Sequence, residues 1–176
     1  MQTQTSPHGE SGFSVVKLVI VLAIAGFCLI VALPILATLA IPAIQKSIKK
    51  ANETSAIASL KDITAQENAY NSDFPTHGFA CNLAQLGGKP EAGAPTPDAA
   101  QLIADDLATG HKSGYAFSIV CGGKTTINNQ DHFNSYVVTA VPNSVGHSGD
   151  HGFCTDQNGL IRFDRKGGTN CTDILQ

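Results

Sequence analysis

From Leu18 to Ile44 the chain has 27 consecutive residues without a charge, and Thr38 is the one clearly polar side chain among them. As a helix such a run is roughly 40 Å long, against about 30 Å for the hydrocarbon core of a bilayer. It is expected to span a membrane with length to spare. A cleaved secretory signal fits poorly, because its apolar core runs about 7–15 residues and ends at a small-residue site. One cation, Lys17, sits inside the apolar stretch that opens at Phe13, where a charge is costly.

The remainder of the 176 residues is one domain's worth of chain. It is mildly acidic, the whole chain having a formal charge of −3, and its densest basic group is Lys46, Lys49 and Lys50. Nothing in it resembles the basic face that neutralises phosphates, so no direct nucleic-acid site is expected. Of five cysteines, Cys28 lies in the apolar run and reads as a small hydrophobe. Cys81, Cys121, Cys154 and Cys171 lie in the polar part, without the C-x-x-C or H-x₃₋₅-H spacing of a zinc site. An even number beside a membrane anchor points to disulfides on an oxidising side.

Residues 1–12 are short and polar, a tail rather than a fold. After the apolar run, Ile44, Ile48, Ala51, Ile57, Leu60, Ile63 and Tyr70 recur mostly three or four apart, with polar residues between them. This is the pattern of an amphipathic helix over 45–73 that continues the apolar helix over 13–44, ending before Pro75. The joined rod is on the order of 90 Å long, with a bend or local melting expected at Pro34 and Pro42. Residues 74–176 form the head. Its loop 87–97 is rich in Gly and Pro, and a short helix is expected over 98–109, capped by Asp98 and stopped by Gly110. Strands are expected at 114–120 and 136–141, followed by a hairpin over 153–163 turning at Asn158-Gly159. The fold class is therefore α+β: a long N-terminal transmembrane and amphipathic helix packed on a C-terminal four-stranded antiparallel sheet. Of the three pairings open to four cysteines, Cys81–Cys121 and Cys154–Cys171 are expected. Gly167-Gly168 can turn the chain so that Cys171 returns beside Cys154 at the hairpin's start, and Cys121 ends the first strand.

Candidate chemistry is thin. Residues 146–151, GHSGDH, approach a nucleophile elbow, but Asp150 replaces the last glycine and the strand–turn–helix context is missing. His147, Asp150 and His151 carry metal-ligand chemistry, yet two glycines argue for a solvated loop. Asp156-Gln157-Asn158-Gly159 echoes the start of a calcium loop without the closing glutamate, and a hairpin turn explains it equally. Asn52 and Asn170 head N-x-T triplets that are frequent by chance. No catalytic group, metal or cofactor is expected, and the chain reads as a non-enzyme.

The junction Gly12–Phe13, the following SVVKLVIVLAIAG, Pro34 and the head segments KSGYAFSIV, YVVTAVP and GFCTDQNGLIRFD together resemble the type IV pilin family, including the pseudopilins of type II secretion. The resemblance implies that a prepilin peptidase cuts between Gly12 and Phe13 and methylates the new amine. It implies partners as well: identical or related subunits, the inner-membrane assembly machinery and the lipid bilayer. The chain would wait in the inner membrane with its C-terminal domain periplasmic, then join a cell-surface pilus or a periplasmic pseudopilus. Pilus work would be adhesion, motility or DNA uptake. The alternatives are a secretion pseudopilin and a membrane-tethered binding module that does not polymerise. Three features depart from the family pattern. The leader has only the acidic Glu10, and a positive-inside count of Lys46, Lys49 and Lys50 would place the head in the cytoplasm, against the cut site and the cysteines. The segment AIPAIQKS (40–47) comes about two helical turns late. Lys17 stands where the family carries glutamate, which bears on assembly.

Overall fold

A computed structural model describes residues 15–89, 91 and 93–175, with the side chains of 32–41 outside the described set. The chain divides into two units between Ile44 and Gln45. Helix α1 runs Val15–Asp73 and ends two residues before Pro75, whose ring disfavours helix just ahead of it. The expected melting at Pro34 and Pro42 does not occur, since the helix continues through both. Leu, Ile and Ala dominate around them, and their helix propensity favours continuation.

In the second unit α1 presents one apolar stripe. Ala56, Leu60, Ile63 and Tyr70 are all at most 1% exposed, and they alternate by three and four along the helix with Glu67. The stripe meets an antiparallel sheet whose order is β1-β2-β3-β4-β5-β6. The strands are β1 (His111–Lys112), β2 (Tyr115–Ile127), β3 (Gln130–Pro142), β4 (Gly152–Asp156), β5 (Arg162–Asp164) and β6 (Asp173–Ile174). Tyr115, Phe117 and Ile119 of β2, Tyr136, Val138 and Ala140 of β3, and Phe153 of β4 face inward and join α1 in one core. Period-two alternation makes this possible, each strand giving alternate side chains to the core and to solvent.

Two parts of the expected fold class are corrected. The sheet has six strands rather than four. The additional strands, β1 and β6, are two-residue edge pieces, too short to show alternation. In addition, no helix among the described residues is long and apolar enough to cross a membrane. Lys17 stands near the start of the described helix, and polar residues and lysines follow from Gln45.

Two local differences have clear causes. β2 and β3 extend well past the expected strands, closing at Asn128 and Asn129, which both adopt left-handed conformations (φ 52° and 63°). Two such residues make the tight turn whose twist matches a hairpin. The helix expected over 98–109 is reduced to α3 (Asp105–Ala108), which begins after Ala104 and not after Asp98. The amides of Ala100, Gln101, Leu102 and Ile103 donate instead to carbonyls of Gln85, Gly87 and Leu86. Those acceptors lie at the end of α2 (Leu83–Leu86), which is capped by the Asn82 side chain.

Candidate assembly surface

The first unit's described side chains form an apolar cylinder whose large hydrophobic residues are exposed. Val15, Val16, Leu18, Val21, Ile24, Phe27 and Leu29 each keep more than half of their surface exposed, and at about 100° per residue they lie all around α1. A helix apolar on all sides requires cover from lipid or from other helices. Burying a side chain of this size favours association by about 1.5–3 kcal/mol. Lys17 is exposed within this cylinder, and the free thiol of Cys28 is exposed farther along it. Gly12 and Phe13 lie outside the described residues, and Pro34 lies in α1 with its side chain outside them.

In the head, Cys81 is bridged to Cys121 with Cα atoms 5.2 Å apart, and Cys154 to Cys171 with Cα atoms 6.0 Å apart. The first bridge ties the segment after α1 to β2. The second closes the loop that follows β5.

The loop 143–151 is not simply solvated: it is strapped to α1. Lys49, Asn52 and Glu53 occupy one helix face at i, i+3 and i+4. Lys49 Nζ donates to both Asp150 carboxylate oxygens at 2.8 and 2.9 Å. Asn52 Nδ2 donates to the Ser148 carbonyl at 2.8 Å. Glu53 Oε1 accepts from the amides of Asp150 and His151 at 2.8 and 3.1 Å and lies 3.0 Å from His151 Nδ1. Tyr115 Oη completes the strap by donating to the His151 carbonyl at 2.9 Å.

These contacts decide what the motif residues do. Ser148 Oγ bonds only within its own turn, to the amide and carbonyl of Ser144, and has no base beside it. His147 is exposed, while His151 and Asp150 are engaged by the helix. Asp156 Oδ1 accepts from the Asn158 amide at 2.9 Å, and the Gly159 amide donates to the Asp156 carbonyl, so DQNG serves as a hairpin turn. Among the described residues no group of three or more His, Cys, Asp or Glu is placed to hold a metal. Asn52 is committed to the strap, and Asn170 donates its amide to Asp164.

Sequence reasoning passed over Glu53 and Glu67, which read as polar filler. Glu67 carried a usable signal, because it falls on the 56/60/63/70 stripe where an apolar residue belongs.

Comparison with known protein families, with curated proteins and with solved structures finds no match. Function therefore rests on the surfaces just described and on the sequence resemblance.

Proposed function

We propose that the chain is a non-enzymatic filament subunit of the type IV pilin kind, polymerising through its apolar N-terminal segment. The observation that carries this reading is the apolar surface exposed all around Val15–Val31. Such a surface is at home in lipid, and it can exchange lipid for the same surface of neighbouring subunits without losing burial. Before assembly the segment holds the chain at the inner membrane, with the disulfide-bonded head on the oxidising, periplasmic side. The partners are identical or related subunits, the prepilin peptidase and the assembly machinery. The head supplies whatever the filament presents to its surroundings.

The test is intact-mass measurement on protein from the native host, together with inspection of sheared surface fractions for filaments. The expected result is loss of residues 1–12, addition of one methyl group, and filaments containing the processed chain. A mature chain that keeps Met1 refutes the reading, because a polar tail would then lie among packed helices. Lys17 favours a second reading, a processed but non-polymerising module tethered to the membrane. Correct processing without filaments would establish that alternative.

A further inference from the structure

Glu67 sits between Ile63 and Tyr70 in the core stripe of α1, and none of its surface is exposed. Its Oε2 accepts one hydrogen bond, from the Ala80 amide at 2.9 Å, and its Oε1 has no partner. A further buried oxygen, the Thr155 hydroxyl on the inward face of the sheet, is also unpartnered, and the Tyr136 hydroxyl lies beside Thr64. The titratable groups around Glu67 are Tyr70 on its own helix and Tyr136 on β3, with Asp98 beyond the first and Asp156 beyond the second. Every one of these is neutral or acidic. A carboxylate in this place would be desolvated, opposite no cation, and held by a single amide.

We propose that Glu67 is a proton-operated latch between α1 and the Phe79–Cys81 segment. Neutral, it remains beneath the sheet and accepts the Ala80 amide. Ionised, it must reach water, and reaching water parts α1 from the segment. That segment cannot drift away altogether, because Cys81 is bonded to Cys121 on β2 and the Phe79 amide donates to the Phe133 carbonyl of β3. The opening is therefore a local hinge of helix against sheet.

The chemistry supports the geometry. Burial pushes the Glu67 carboxyl up to about 8, and the Ala80 hydrogen bond offsets only part of that. A carboxyl raised in the closed state and ordinary in the open one stabilises closure fully below pH 4.5. That stabilisation is lost as pH rises toward 8, because only the open form gives up its proton in that window.

The experiment is amide hydrogen exchange on the full chain in non-ionic detergent, read over Phe79–Gln85 and corrected for the intrinsic pH dependence of exchange. In the natural chain protection should fall by about tenfold per pH unit between about 5 and 8 and level off above. In Glu67→Gln, which keeps an acceptor for Ala80 but cannot ionise, protection should stay flat. A flat profile in the natural chain overturns the proposal, as does an equal fall in both chains. If the variant does not fold, the Glu67 carboxyl carbon is titrated by NMR in the natural chain. A midpoint near 8 sustains the latch, and a midpoint in the ordinary carboxylate range near 4.5 refutes it.

Discussion

Replacing Glu53 with alanine removes the acceptor that holds three donors of the strapped loop. Hydrogen bonds to a charged group contribute about 1.5–3 kcal/mol each when buried. Here the Glu53 side chain is 20% exposed, so water reaches part of the site and the bare sum is too large. The Asp150 and His151 amides are half-buried, and each loses its only acceptor. A loss of about 2–3 kcal/mol is expected for Glu53→Ala. Glu53→Gln keeps a neutral oxygen in place, and its loss should be nearer 1 kcal/mol. Lys49→Met provides the contrast. It breaks an ion pair whose Asp150 side chain is 48% exposed, and it should lose under ~1 kcal/mol. The assay is urea unfolding of the full chain in non-ionic detergent, followed by circular dichroism, with the slope checked for constancy. A loss below about 0.5 kcal/mol for Glu53→Ala refutes the reasoning, because that is the range of surface changes without a structural role. Equal losses for alanine and glutamine would show that charge and acceptor oxygen are irrelevant to the strap.

Two further outcomes are expected. Gly78 has φ +75°, and its missing Cβ leaves room for the Phe133 carbonyl, so Gly78→Ala should destabilise by about 2–3 kcal/mol in the same urea assay; an unchanged midpoint refutes it. Under the proposed processing, Lys17 approaches the new amine of Phe13 in a packed filament, where two cations about 4 Å apart repel by about 4 kcal/mol at an effective dielectric of 20. Lys17→Glu, expressed as the sole subunit, should therefore yield more filaments than the natural chain, and equal yields would overturn that.

How legible the fold was depended on where apolar side chains report their surroundings. The amphipathic part of α1 could be read because Leu60, Ile63 and Tyr70 repeat with the helix, and Pro75 marked its end. The inner halves of β2 and β3 could be read because Tyr115, Phe117, Ile119 and Tyr136, Val138, Ala140 alternate. The outer halves could not. From Thr125 to Asn129 every residue is exposed, so no alternation marks that ribbon, and Gly122-Gly123 looks like a strand end. The segment 98–104 misled for another reason. Its residues suit a helix, but tertiary bonds to the end of α2 claim its amides. The loop at 143–151 looked solvated because its partners, Lys49, Asn52 and Glu53, lie about a hundred residues earlier in the chain, and no local pattern announces such a contact.

The sheet's order is also the order of synthesis: every strand pairs with the one made just before it. Within the sheet this pairing of chain neighbours is local, and each new strand finds its neighbour already in place, whereas the contacts with α1 join residues up to about a hundred apart. The bridges obey the same rule, neither nested nor crossed, with Cys81 joined to Cys121 before Cys154 is joined to Cys171. A head whose cysteines are oxidised in order of emergence pairs them correctly at the first attempt. Under that order of oxidation, the two pairings form without any reshuffling of mispaired thiols.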